Sequence, residues 1–248
     1  MPNRQRAWLA PLLVFLVIAG SATMIGLGIW QLQRLQERRA TNAQIRALMD
    51  QPPVVLTGAT GQLPEYTAVR ASGIYDFANE IVQRNRAHDQ EPGVEVFTPL
   101  RLVGTATAVL VDRGWIPYTQ ADQAARAPFD VPSSAVTVVG LARASQSRTF
   151  FLLPTDPTPS PSAPRLDQWF WVNIPQIQGQ TPYPLLPFYL QSAPRADVAA
   201  LPISNYDDID LSDGPHLSYA IQWFSFTAIL IVGSLVLWRQ QRRRPQKA

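Results

Sequence analysis

The chain has no cysteine, a single lysine and only two histidines in 248 residues. Without cysteine there is no disulfide, no thiol nucleophile and no thiolate metal site, although the redox compartment stays open. The lysine is Lys247, at the very end, so no Ser-Lys dyad can form in the body of the chain. His88 and His216 are too few for a zinc site rich in imidazole, and neither stands in an H-E-x-x-H pattern. No G-x-S-x-G elbow or phosphate-cradling glycine loop occurs. Carboxylate-pair chemistry is left open, because 17 acids lie in the middle of the chain and a hydrolase needs only two at a suitable distance. Nothing marks any pair out.

Charge is absent in two places. Neither Ala7 to Gln33 nor Gly214 to Trp238 contains Asp, Glu, Lys or Arg, and each stretch is long enough to cross a bilayer as a helix. The residues between, about 41 to 215, suffice for one domain with its own core. The ends carry 10 of the 21 basic residues and one acid, Glu37, whereas the middle carries 11 basic and 17 acidic residues, a net −6. The overall +3 therefore describes no single surface. Its basic excess flanks the apolar spans and forms no patch on a folded domain, which argues against nucleic acid as a partner.

The first span begins like a signal peptide, with Arg4 and Arg6 before Trp8, and Ala19-Gly20-Ser21-Ala22 fits a cleavage site. Its apolar run continues to Trp30, about 23 residues, which is the length of a retained anchor. Trp8 and Trp30 then fall at the two interfaces. After the second span come Arg239, Arg242, Arg243, Arg244 and Lys247, and before it Asp207, Asp208, Asp210 and Asp213. The positive-inside rule puts that tail in the cytoplasm. Arg34, Arg38 and Arg39 after the first span pull the other way, and the longer tail outweighs them. The expected layout is a cytoplasmic segment 1–7, a transmembrane helix 8–30, an extracytoplasmic β-rich domain 31–215, a second transmembrane helix 216–238 and a basic cytoplasmic tail 239–248, in the plasma membrane.

The middle reads as strands: Val69–Phe77, Ile81–Arg84, Phe97–Leu102, Ala108–Asp112, Val136–Arg143, Trp169–Ile174 and Phe188–Gln191 are β-branched and aromatic runs between Gly, Pro and polar breaks. Such spacing predicts an antiparallel sheet or partly closed barrel. Trp30 to Met49 has helix-forming composition, so the first span should continue outward until Pro52-Pro53. Five prolines between 151 and 164 predict an extended surface loop. The fold class is thus an α+β membrane protein, two transmembrane helices flanking a mostly antiparallel β domain.

Few residues carry candidate chemistry. His88 sits in a polar stretch before Pro92-Gly93 and reads as a solvated loop histidine; the Asp207 to Asp213 cluster lacks EF-hand spacing and reads as a solvated tether. Asp112-Arg113-Gly114-Trp115 reads as a strand ending in a structural turn with a local ion pair. His216 opens the second span, with Tyr219, Ala220, Trp223 and Thr227 on its helical face. Residue chemistry alone favours an interfacial histidine bonded to a headgroup or a neighbouring helix. The same imidazole beside aromatic rings could also ligate and flank a porphyrin.

The chain resembles the Surfeit locus protein family of membrane-anchored cytochrome c oxidase assembly factors. The resemblance lies in Gly28-Ile29-Trp30-Gln31-Leu32-Gln33-Arg34, Gly73-Ile74-Tyr75-Asp76 with Glu80 and Arg84-Asn85-Arg86, Gly93 followed by Phe97-Thr98-Pro99-Leu100, Val111-Asp112-Arg113-Gly114-Trp115-Ile116-Pro117, and His216 to Phe224. Asp112 departs from it, since many members look to have Asn there. The resemblance implies a non-enzymatic role: assisting insertion of haem a, held transiently, into the oxidase catalytic subunit, or stabilising that subunit, with haem a synthase as a further partner. It also implies His216 as the haem-iron ligand, with Tyr219, Trp223, Trp30 and Arg34 around it. Arg34 would then pair with a propionate or simply anchor its helix at the headgroups. Two rivals remain: a haem-independent scaffold for the oxidase subunit, and a membrane-tethered carboxylate-dependent hydrolase.

Overall fold

The computed structural model describes residues 9–129, 134–157, 165–194, 201–206 and 209–243. The expectations for Arg4, Arg6 and Trp8, for the prolines at 159, 161 and 164, for Asp207 and Asp208, and for Arg244 and Lys247 fall outside these residues. Two compact units make up the chain, one formed by its two ends through Gln44 and from Leu211, the other by Ile45–Asp210.

The first unit holds two helices, α1 (Leu9–Met49) and α4 (His216–Arg243). At 1.5 Å per residue α1 runs about 60 Å, roughly twice the hydrocarbon thickness of a bilayer, so its 41 residues make a helix that is longer than a span needs. Both helices are long and apolar enough to cross a membrane. Their apolar side chains stay bare, Phe15 at 64 % and Ile229 at 67 %. A helix from the core of a water-soluble protein would bury such residues, and this surface suits lipid.

The second unit is a β barrel with additions. Its strands are β1 (Val54–Val55), β2 (Ala68–Tyr75), β3 (Ile81–His88), β4 (Glu91–Leu102), β5 (Ala108–Pro117), β6 (Val136–Ala144), β7 (Gln168–Trp169) and β8 (Leu185–Ser192), with short helices α2 (Gln123–Arg126) and α3 (Ile174–Gln178). Sheet order is β1-β2-β6-β8-β5-β4-β3-β7, and β2 also pairs with β4. That extra pairing closes β2, β6, β8, β5 and β4 into a ring, which removes their open edges. Pairing is antiparallel except β1–β2, β3–β7 and β5–β8.

Burial follows from β5 lying mid-sheet. Val109 and Val111 join Val69, Leu100, Phe188 and Leu190 in one apolar cluster. Leu110, between them, packs with Ile81, Phe97, Trp169 and Ile177 in another. Alternate residues of one strand thus serve two cores, so β5 is apolar without alternation.

Two expectations need correction here. Trp169–Ile174 is strand only at its start; Asn173 then accepts a bond from the Gln176 amide at 3.1 Å and starts α3, with Pro175 in its first turn. Asp112 to Trp115 is no turn. Strand β5 continues to Pro117, and Arg113 is an extra residue in it, since Val96 pairs with Gly114 while Phe97 pairs with Asp112. Gly114 takes φ +116°, and a Cβ there would lie 2.1 Å from the Ile203 carbonyl oxygen. The bulge therefore needs glycine on both counts.

Candidate functional site

On α1, Ser21, Gly28, Leu35 and Asn42 are buried, a seven-residue repeat of the kind that lines a helix–helix seam. On α4, Ala220 and Thr227 are buried seven apart. The helices run antiparallel along this seam. A Cβ added at Gly28 would lie 2.6 Å from the Phe224 ring, and one at Gly20 would lie 3.4 Å from Leu230. Small residues at these points let the backbones approach where lipid supplies no hydrophobic drive. Gly26 and Gly233 do not share this role, since a Cβ at either meets nothing within 4 Å; both lie off the seven-residue register.

The start of α4 is tied down beside α1. Asn42 Nδ2 donates to the carbonyls of Leu211 and Ser212, each at 2.9 Å. Arg39 pairs with Asp213 at 2.7 Å, with both side chains still about half exposed, so Asp213 stays solvated as expected while also meeting α1. These bonds set the height at which His216 meets α1. Its Nδ1 lies 2.9 Å from Gln31 Oε1, and the imidazole is half-buried.

The other residues of the expected site are placed as follows. Trp223 is half-buried and meets Phe226 edge-on, with centroids 6.2 Å apart. Tyr219 is exposed on the turn between His216 and Trp223. Trp30 is 47 % exposed, and the Arg34 guanidinium lies 5.8 Å from its ring centroid. Arg34 also pairs with Glu37 at 2.8 Å, both well exposed. His216, Tyr219 and Trp223 therefore share one face of α4, while Trp30 and Arg34 form their own pair on α1. The α1 residue that touches His216 is Gln31, which sequence reasoning passed over within the Trp30–Arg34 motif; its heptad position, three after Gly28, was the available signal.

His216 is the one side chain here that would offer a single nitrogen to a ligand. With Nδ1 engaged by Gln31, that nitrogen would be Nε2. Among the described residues no three His, Asp or Glu side chains gather as a cage for a bare metal ion. The Gly28–Phe224 approach leaves no slot for a macrocycle between the helices at that level.

The β domain carries a second polar cluster, which sequence reasoning missed. Glu80 is 2 % exposed. Its Oε2 accepts from Thr98 Oγ1 at 2.5 Å and from Arg113 Nη1 at 3.2 Å, and its Oε1 accepts from Arg126 Nε at 2.7 Å. Arg126 also pairs with Asp167 at 2.8 Å and donates to the Ala121 carbonyl, while Arg113 donates to the Phe129 carbonyl. The β5 bulge is what turns Arg113 into this cluster. Asp112 beside it faces elsewhere, accepting from the Gly114 amide at 3.0 Å and from Asn205 Nδ2 at 2.8 Å; Asp112 and Arg113 are not an ion pair. His88 is no solvated loop residue either. It ends β3, half-buried, with its ring 5.4 Å from that of Trp115.

A chain with two bare apolar helices and a closed β barrel between them in sequence defines a two-helix class of membrane-associated α+β protein. Within that class, the profile of the SURF1 family matches residues 18–228, and the chain belongs to that family. It is 28 % identical over 232 residues to a SURF1-like protein of Monosiga brevicollis, covering 88 % of this chain and 83 % of the relative. It is 24 % identical over 245 residues to Surfeit locus protein 1 of Mus musculus, covering 90 % and 74 %. An uncharacterised SURF1-like protein of Mycobacterium tuberculosis is 28 % identical over 232 residues, covering 91 % and 81 %.

Proposed function

We propose that this chain is a plasma-membrane assembly factor for cytochrome c oxidase, which holds haem a transiently as cargo while the catalytic subunit is loaded. The observation that carries this reading is the His216–Gln31 contact at 2.9 Å in a family member. It engages one imidazole nitrogen and leaves the other for iron. His216 would supply the axial nitrogen, Tyr219 and Trp223 the aromatic face, and Trp30 the neighbouring ring on α1. Arg34 is exposed, so its pairing with Glu37 can be exchanged for a haem propionate at little cost. Haem a itself supplies the redox iron to the oxidase that receives it.

A non-enzymatic role is favoured by the fate of Glu80, the buried carboxylate at the centre of the β-domain ion cluster. Glu80 is saturated by Thr98, Arg113 and Arg126, and a carboxylate so committed is poorly placed to move protons. The topology proposed with this function places both termini in the cytoplasm and the β domain outside, with the oxidase catalytic subunit and haem a synthase as partners.

The test is a visible spectrum of the detergent-purified protein from cells that make haem a. A Soret band that travels with the protein is expected. No band, with oxidase subunits still retained, would replace this reading with the haem-independent scaffold; turnover of an ester or glycoside without haem or oxidase would replace it with the hydrolase.

A further inference from the structure

The two helices place three observations around one imidazole. Gln31 Oε1 lies 2.9 Å from His216 Nδ1. On the other side of the ring stands Gly214, where an added Cβ would be in van der Waals contact with the imidazole, 3.5 Å from Cδ2 and 3.7 Å from Nε2, so a side chain at 214 would crowd the Nε2 edge that glycine leaves uncovered. The turn that carries His216 is held against α1 by Asn42 and Arg39, so the Gln31–His216 distance does not depend on one flexible contact. A neutral imidazole has one N–H, and which nitrogen carries it is decided by what the other atoms offer. An amide oxygen at Nδ1 accepts, which puts the hydrogen on Nδ1 and strips it from Nε2.

We infer that Gln31 is a positioning residue that locks His216 in the Nδ1–H tautomer, so that Nε2 is presented bare as a metal-accepting nitrogen. This rests on the haem-cargo reading for its purpose but not for its test. A histidine whose Nε2 carried the hydrogen would need a tautomer change before it could bind iron. Gln31 removes that step. It touches His216 and no iron, so it acts through the ring.

The chain's histidine content makes the inference measurable. Only His88 and His216 contribute ring signals, so full-length protein labelled with ¹⁵N-histidine in detergent gives two spin systems, assigned with His216→Ala. In a spectrum recorded at alkaline pH, His216 is expected to show a protonated Nδ1 and an unprotonated Nε2. Gln31→Leu, which removes the acceptor, should move that pattern towards Nε2–H or a mixture. Gln31→Glu, which keeps an oxygen there, should preserve it. An unchanged His88 signal reports that the β domain is intact in each variant. A wild-type Nε2–H tautomer, or a Gln31→Leu spectrum identical to wild type, would overturn the inference.

Titration with hemin separates this from the function. Loss of an outer-shell partner of a metal-bound histidine weakens affinity by about 10-fold or more, and Gln31→Leu is expected to do so while Gln31→Glu does not. If the tautomers behave as expected but hemin binds wild type and His216→Ala alike, the cargo reading at His216 fails and the role of Gln31 in setting the tautomer stands.

Discussion

Asn205 Nδ2 donates to Asp112 Oδ2 across 2.8 Å, as the last link of a directed chain. Arg143 Nη1 donates to Gln191 Oε1 at 2.5 Å, and Gln191 Nε2 donates to Asn205 Oδ1 at 2.8 Å. Each donor faces the carboxylate, so the chain carries the polarity of a guanidinium to a buried acid. It also holds residues 201–206 against the barrel, together with the pairing of Ile203 with Trp115 and the bond from Ser204 Oγ to the Ser192 carbonyl at 3.1 Å.

The relay competes with a stronger opposing effect. Burial first, and then the charge of Glu95, push the Asp112 carboxyl up to about 8, against the bonds from Asn205 and the Gly114 amide and the more distant Arg86. The sign follows from linkage. In the folded chain the proton stays on between an ordinary carboxyl value near 3.8 and about 8, while the unfolded chain loses it, so stability falls as pH rises through that window. The slope is at most about 1.4 kcal/mol per pH unit. Asp112→Asn should flatten it and make the variant the more stable form at the alkaline end. Chemical denaturation of the full chain at several pH values, followed by tryptophan fluorescence, reads this directly; parallel curves for the two proteins would show that Asp112 is ionised throughout.

Arg126 predicts a larger loss. It is 1 % exposed, and its removal leaves Glu80 with Arg113 as its one guanidinium partner beside Thr98, and Asp167 with no guanidinium at 2.8 Å. Breaking a buried ion cluster by deleting one member costs about 3–5 kcal/mol. Arg126→Met should lower the unfolding free energy by that amount, read as a lower denaturation midpoint with little change in slope. Arg126→Lys should recover only part, because one ammonium cannot bridge two carboxylates as a guanidinium fork does. A midpoint within error of wild type would mean that the cluster contributes nothing net.

The helices and most strands were legible from residues 9–243 because their signals are local: unbroken apolar runs for α1 and α4, β-branched runs between breakers for β2 to β6 and β8. Even the Trp169–Ile174 error was avoidable, since Asn173 with Pro175 is a local helix start. What could not be read is long-range. Glu80 meets Arg113 33 residues away and His216 meets Gln31 185 residues away, and nothing in the intervening sequence encodes either distance. Ring closure through β2–β4 depends on such pairings as well. The one long-range feature with a sequence trace is the helix seam, whose small and polar residues at Ser21, Gly28 and Asn42 keep a period of seven.

At Gly28 that seam can be tested. A leucine there would drive its Cβ into the Phe224 ring at 2.6 Å, and overpacking of this kind costs about 1–3 kcal/mol. Gly28→Leu should lower the haem a content of the oxidase in isolated membranes while the protein stays inserted. Adding Phe224→Ala should restore part of the loss, because the two changes share one contact. Normal haem content in the single variant would argue against a working interface at this level.

The orientation is testable because the chain has no cysteine of its own. Single cysteines at the exposed Ser134 and, separately, at Gln246 in the tail can be offered a membrane-impermeant thiol reagent on intact cells. The basic tail after α4 predicts labelling at 134 and protection at 246. The reverse pattern would put the β domain in the cytoplasm and remove the proposed site from the outer face.

His216 carries the last prediction, with His88 as its control. Both rings are half-buried and each has a close neighbour, but the neighbours differ in kind. His88 meets the Trp115 ring at 5.4 Å between centroids, a packing contact within the β domain. His216 meets an amide oxygen at the mouth of the helix pair, an arrangement that orients a ring and leaves its second nitrogen unused. His216→Ala should therefore remove or shift the Soret band of co-purified haem with the protein yield unchanged, and His88→Ala should leave the band alone. Equal spectra in both variants would remove His216 as the axial ligand and leave the helix pair as a grip on the oxidase, with haem passing elsewhere.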